Sequence, residues 1–186
     1  MSEQMKEAQV RIGGEAGQGV ILAGVILAQS AVGDGRRVAQ SARYGAAVRG
    51  GEATADVVLS EGDIDFPHVE APDLLVVLSQ STYDKFVPAQ REGTMVFCDP
   101  FFVTPREAPP GVRQFEIAAT DAAIRRFGKG TSANLILLGF IAELTSVVSR
   151  ESLENAVREG VSAKFREANL EALKIGAEMA GEVGHG

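Results

Sequence analysis

Four glycines fall within seven positions, Gly13, Gly14, Gly17 and Gly19 in the run IGGEAGQGV, and no lysine stands among them. Glycine lets a turn take positive φ and lets an anion approach the backbone without meeting a Cβ. At a helix start the first N–H groups have no partner and the positive end of the dipole faces out, so such a turn suits a phosphate or pyrophosphate. The order G-G-x-x-G-x-G is not the dinucleotide fingerprint G-x-G-x-x-G, and without a Lys-Ser/Thr pair it is not a Walker A loop. The backbone at Gly13, Gly14, Gly17, Gln18 and Gly19 is therefore a candidate phosphate cradle. A glycine-rich turn that only shapes the chain is the alternative.

A nicotinamide site would place an acid about 20 residues further on, at the end of the second strand, to hold the ribose hydroxyls. Gln40 and Ser41 stand there instead, followed by Arg43 and Arg49. Arginine suits a phosphate monoester better than a diol, which favours a ligand with an extra phosphate over NAD. The segment SARYGAAVRGG thus offers Ser41, Arg43, Tyr44, Arg49, Gly50 and Gly51 as the second half of one site, with Arg49 on a phosphate and Tyr44 against a ring or carbonyl. The competing reading pairs the arginine with a neighbouring carboxylate and gives the glycines a bulge into the strand at Ala53.

Other reactive residue types carry less. Cys98 ends an apolar run and reads as a small core residue rather than a nucleophile, with no histidine near it in sequence. His68 follows a proline in a surface turn, and His185 lies at the C-terminus; neither is assigned a role. Asp63 and Asp65 in EGDIDFP read as a solvated acidic turn, without the further ligands a metal site needs. Asn134, opening the apolar run ANLILLGF, reads as a helix cap, the alternative being a side chain that faces a ligand or a partner. No residue is nominated as catalytic and none as a metal ligand.

These candidates need elements to hold them. The alternation in AQVRIGG predicts a first strand ending near Ile12, and a helix apolar on almost every face from about Gln18 to Val32. RRVAQ, ATADVVLS (53–60), PDLLVVLS and GTMVFCDP read as strands, and the continuous apolar run after Pro72 marks a strand covered on both faces. Residues 99 to 113 hold four of the seven prolines and read as an extended connection. VRQFEIAAT reads as a last strand entering a helix capped by Thr120, and helical spacing follows over 133–147, 150–159 and 162–181. Interleaving of this kind predicts one domain over residues 1–186. Its expected form is a Rossmann-like three-layer α/β/α sandwich with a mostly parallel, mixed central sheet, in which RRVAQ and ATADVVLS form an antiparallel pair.

A chain of 186 residues with a net charge of −7 is poorly suited to gripping a nucleic-acid backbone, which takes clustered Lys and Arg. One cysteine cannot supply a four-cysteine cluster or zinc site, so any redox centre belongs on another chain. The polar start MSEQMKEAQV lacks the pattern of a secretory signal, and the run GVILAGVILA is too short to cross a bilayer. A cytoplasmic protein without membrane contact is expected.

Taken in order, IGGEAGQGVILAGVILAQSA, YGAAVRGG, ATADVVLS and PDLLVVLS resemble the gamma subunit of the 2-oxoacid:ferredoxin oxidoreductases. ANLILLGFIAEL, with Asn134 and Gly139, and FREANLEALKIG, with Phe165, Asn169 and Gly176, are similar to that family's C-terminal landmarks, so the resemblance runs from about Gln9 to Gly176. The chain departs from the family at Ala16, where a glycine is common, and at Ala46-Ala47, which replaces Pro-Glu; the contact made by that glutamate is not carried over. The resemblance implies a multi-subunit enzyme that oxidatively decarboxylates a 2-oxoacid, captures the acyl group on coenzyme A and passes electrons to ferredoxin. It implies thiamine diphosphate, Mg and 4Fe-4S clusters on partner alpha, beta and delta subunits only, and coenzyme A on this chain. GEAGQG looks like the 2-oxoglutarate branch. A free-standing NAD(P) or adenine-nucleotide module, and a scaffold subunit without a ligand, are the other readings.

Overall fold

Chain order runs β1 (Glu7–Glu15), α1 (Val20–Gly33), β2 (Arg37–Tyr44), β3 (Glu52–Ser60), β4 (Leu74–Val77), α2 (Gln80–Phe86), β5 (Met95–Cys98), β6 (Arg113–Glu116), then α3 (Ala119–Phe127), α4 (Ala133–Thr145), α5 (Arg150–Gly160) and α6 (Ala163–Val183). The computed structural model describes residues 5–45 and 51–183. The six strands form one mixed sheet in the order β2-β3-β1-β4-β5-β6. β1 pairs antiparallel with β3 from Glu7↔Ser60 to Glu15↔Glu52, and β2 pairs antiparallel with β3 from Arg37↔Ser60 to Tyr44↔Ala53. On its other side β1 runs parallel to β4, β4 to β5 and β5 to β6.

β4 explains why the run LLVV is apolar throughout. Successive side chains of a strand point to opposite faces, and here both faces are covered. Leu74 and Val76 join Val10, Ile12 and Phe97 under Ile26 and Leu27 of α1 and Ile136 and Phe140 of α4. Leu75 and Val77 join Val96 and Cys98 on the opposite face, under Tyr83 of α2, Val87 and Val103. The three layers are unequal: α1, α4, α5 and α6 cover the first face, whereas α2, the 3₁₀ turn Val87–Ala89 and part of the proline-rich connection cover the second. Within the thick layer α4 and α6 touch backbone to backbone, since a Cβ at Gly176 would meet the Ile136 carbonyl and one at Gly139 the Leu173 carbonyl.

Several elements differ from the sequence expectation. β1 continues through the glycine pair to Glu15 instead of stopping near Ile12, because β3 pairs with it all the way to Glu52. β2 extends past RRVAQ to Tyr44, so Ser41, Arg43 and Tyr44 are strand residues rather than loop residues. α2 has no counterpart in the sequence reading; it is short, and Ser79 starts it by accepting from the Thr82 amide at 3.3 Å. Thr120 does not cap α3. It lies inside the helix, and the buried Asp99 carboxylate at the end of β5 accepts its amide at 2.8 Å, with Asp99 Oδ1 accepting the Phe101 amide at 3.0 Å.

Candidate functional site at the carboxyl edge of the sheet

The register decides which segments meet. Glu15 at the end of β1 lies opposite Glu52 at the start of β3, and Ala53 lies opposite Tyr44 at the end of β2. The glycine loop and the ends of the 45–51 connection therefore share one edge, where the Ala16 amide donates to the Gly51 carbonyl at 2.9 Å. β4 and β5 run parallel to β1, so Leu78, Ser79 and Asp99 emerge at that edge too. From β1 the chain crosses through α1 to β2 on one side of the sheet, and from β3 it passes over β1 to β4 on the other. The direction of winding therefore changes at β1, the kind of crevice where open α/β sheets take ligands. Arg49 and Gly50 lie outside the described residues.

The four glycines divide into two pairs with different work. Gly13 and Gly14 are strand residues that let neighbours pack closely: a Cβ on Gly13 would lie 3.2 Å from Thr82 Cβ, and one on Gly14 would lie 2.7 Å from Gln18 Oε1 and 2.9 Å from Val20. Gln18 is a brace. Its amide donates to the Glu15 carbonyl at 3.1 Å, its Oε1 accepts from the Glu15 amide at 2.7 Å, and its Nε2 donates to the Leu78 carbonyl at 2.6 Å. The expectation that the Gln18 amide serves an anion is corrected, since that amide is already used. Gly17 and Gly19 hold the turn itself, at φ 99° and 75°. Gly19 is the N-cap of α1 with no side-chain cap, and the first helical bond runs from the Ala23 amide to the Gly19 carbonyl. The amides of Val20, Ile21 and Leu22 precede that ladder and have no intrahelical acceptor.

The arginines sit differently. Arg11 holds the buried Asp56 through two bonds of 2.7 Å, donates to the Val69 carbonyl at 2.8 Å, and lies over the Phe86 ring. Arg43 is 68% exposed in its side chain and stands 3.8 Å from the same carboxylate. With Asp56 satisfied by Arg11, Arg43 is weakly held, and exposed pairs of this kind contribute little. Ser41 lies opposite Asp56 and shares its face with Arg43, whereas Tyr44, 69% exposed, points to the other face. Arg43 and Tyr44 are thus brought to one edge but to opposite sides of the sheet.

Beside the turn lies a cavity of about 340 Å³, bounded by Gly17, Gln18, Leu78, Phe101, Phe102 and Asn134 among others. Asn134 is not a cap. It is the second residue of α4, 4% exposed, and its Nδ2 donates to the Gly19 carbonyl at 3.2 Å, which ties α4 to the glycine turn. Phe101, Phe102 and Thr120 are not among the site residues the sequence nominates; Phe101 and Phe102 are marked there only as the apolar pair FF inside a proline-rich connection, and Thr120 only as a helix cap.

Cys98 is buried, and burial first, then the charges of Glu116 and Asp99, push its thiol up to about 12, so it is no nucleophile near neutral pH. Asp63 pairs with Arg37 at 2.7 Å on the surface. Among the described residues no group of three or more His, Cys, Asp or Glu could hold a metal ion, and no helix is long and apolar enough to cross a membrane.

A family model described as pyruvate ferredoxin/flavodoxin oxidoreductase matches residues 9–179. The 2-oxoglutarate synthase subunit KorC of Methanocaldococcus jannaschii is 39% identical over 177 residues, covering 94% of this chain and 95% of the relative. Among solved structures, the gamma subunit of a keto/oxoacid ferredoxin oxidoreductase from Geobacter sulfurreducens is 35% identical, with a TM-score of 0.79 over 93% of this chain and 98% of that one. A 2-oxoglutarate:ferredoxin oxidoreductase from Magnetococcus marinus, solved with 2-oxoglutarate, coenzyme A and succinyl-CoA bound, shares the fold at a TM-score of 0.87 and 24% identity. That match covers 96% of this chain and 32% of that one.

Proposed function

Because the chain belongs to the pyruvate ferredoxin/flavodoxin oxidoreductase family, as a gamma subunit of a 2-oxoacid:ferredoxin oxidoreductase complex, we propose that its own share of the reaction is to bind and orient coenzyme A. The observation that carries this is the uncapped start of α1, where Gly17 and Gly19 hold a left-handed turn at the crevice. A diphosphate at that turn meets the free amides of the first helical turn and the positive end of the helix. Arg43, and Arg49 from the neighbouring connection, supply cations for the further phosphate of the 3′-phospho-ADP part. The coenzyme A bound in the Magnetococcus marinus enzyme is consistent with a ligand of this class.

No residue of this chain is assigned to bond making. Thiamine diphosphate with Mg, on alpha and beta partners, supplies the decarboxylation, and 4Fe-4S clusters on beta or delta partners carry the electrons to ferredoxin. This chain holds the nucleotide end of coenzyme A so that the thiol end projects toward the partner, which raises the local concentration of the second substrate. The likeness to KorC subunits favours 2-oxoglutarate as the 2-oxoacid. A scaffold role gains support from Gly13, Gly14 and Gln18, which serve packing.

The two readings part on Arg43→Ala and Arg49→Ala in the assembled complex. Loss of a charge-assisted bond of about 1.5 kcal/mol raises the KM for coenzyme A roughly tenfold with kcat retained. An unchanged KM in both variants removes the arginines from the site and leaves the scaffold role.

A further inference from the structure

Two residues that line the cavity beside the glycine turn each carry a buried polar atom with nothing to bond. Asn134 Oδ1 and Thr120 Oγ1 are buried without a hydrogen-bond partner, in residues 4% and 3% exposed, and both residues line this one cavity. Asn134 has its donor committed to the Gly19 carbonyl, so what it lacks is a donor. Thr120 has its amide committed to Asp99 and keeps a free hydroxyl, which can donate. Buried polar atoms are normally satisfied, and two orphans in one wall mark a place completed by something absent from the chain alone. The large apolar side chains of the lining are Leu78, Phe101, Phe102 and Ile124, beside the polar Gln18 and Thr131. Phe101, Phe102 and Ile124 are 52%, 42% and 40% exposed, which gives the cavity an apolar rim with the two orphan atoms just beneath its lining.

We propose that this cavity takes the adenine base of coenzyme A, with the exocyclic amine donating to Asn134 Oδ1 and the Thr120 hydroxyl donating to N1 of the ring. The proposal rests on coenzyme A being the ligand of the glycine turn. Adenine carries a donor and an acceptor side by side on one rigid edge, matching two orphans in one wall, and its faces suit Phe101 and Phe102. A pantetheine amide carries its N–H and C=O on opposite sides of the chain, so it cannot serve both atoms at once. The pantetheine arm must also leave this chain to reach the partner, whereas the base can stay behind. Gly17 and Gln18 belong to both the turn and the cavity wall, so base and diphosphate fall on neighbouring positions. Both orphan atoms are covered in the chain alone, so on this placement the half-exposed Phe101 and Phe102 must move aside to admit the ring.

The test uses the assembled complex, with adenosine 3′,5′-bisphosphate, inosine 3′,5′-bisphosphate and 4′-phosphopantetheine as inhibitors competing with coenzyme A. Hypoxanthine sets an acceptor against Asn134 Oδ1, so the inosine compound inhibits roughly tenfold less well than the adenosine compound. Thr120→Val, which keeps the side-chain volume, brings that ratio toward one and leaves inhibition by 4′-phosphopantetheine unchanged; Asn134→Ala also brings the ratio toward one, although it frees the Gly19 carbonyl as well. Equal inhibition by the two bisphosphates in the wild-type complex, or a ratio that survives both substitutions, overturns the placement of the base. So does a loss of phosphopantetheine inhibition in both variants, which would put the other end of the ligand in the cavity. In each of those cases a raised KM in Arg43→Ala would leave the coenzyme A reading standing.

Discussion

Gly17 and Gly19 occupy the same left-handed region two residues apart, yet substituting them with alanine has different consequences. A Cβ at φ 99° on Gly17 meets nothing within 4 Å, so Gly17→Ala carries backbone strain alone. That strain is about 1–2 kcal/mol, partly offset by about 0.4–1 kcal/mol from the stiffer unfolded chain. Gly19→Ala carries the same two terms, and its Cβ also runs into the Asn134 amide nitrogen, which bonds the Gly19 carbonyl. Displacing Asn134 forfeits that bond, about 0.5–1.5 kcal/mol, and disturbs the start of α4. Gly19→Ala is therefore less stable than Gly17→Ala by about 1–1.5 kcal/mol, read as a melting temperature lower by roughly 2–5 °C for a chain of this size. In the Asn134→Ala background the gap closes, since nothing remains for the new methyl to strike. Parallel thermal or denaturant unfolding of the four variants measures this directly. Equal losses for Gly17→Ala and Gly19→Ala, or a gap that persists without the Asn134 side chain, would refute the contact between α4 and the turn.

The thick helical layer and the buried thiol give two further expectations. Gly176→Ala drives a methyl into the Ile136 carbonyl and forces α4 and α6 apart; it costs at least about 3 kcal/mol, the range of severe overpacking, and Gly181→Ala, with open space around it, serves as the control in denaturant titrations. Cys98, with its pKa raised from 9.0 to about 12 in the fold, favours the folded state while it stays protonated, so that contribution is complete below pH 9 and is lost as pH rises from 9 toward 12. Alkylation by iodoacetamide should accordingly stay slow for the native chain at pH 8 and become fast on unfolding, whereas rapid native labelling would contradict the buried thiol.

What could be read from the sequence was local or periodic. The unbroken apolar run of β4 announced a strand covered on both faces, and the short link between β2 and β3 announced an antiparallel pair. What could not be read depended on distant partners. The glycine pair Gly13-Gly14 looked like the turn, but β3 draws it into the sheet, and the reason for glycine is α2 and α1 packing over it. The cap of α3 comes from Asp99 at the end of another strand, where rules that inspect only neighbouring residues cannot find it. Asn134 opens an apolar helix and so resembled a cap, although its side chain turns to the Gly19 carbonyl. The cavity walls Phe101 and Phe102 were hidden in a proline-rich connection with no periodicity to mark them.

The central claim, that this chain holds coenzyme A at its glycine turn, is tested most directly by hydrogen exchange on the assembled complex with and without coenzyme A. The amides of Gly17, Gly19 and the first turn of α1 precede the helical ladder, so they exchange readily in the free complex and gain protection when the ligand's phosphates bind. Protection over residues 17–22 and 99–102 of this chain is the predicted result. Protection confined to the partner subunits, with the glycine turn unchanged, would contradict it.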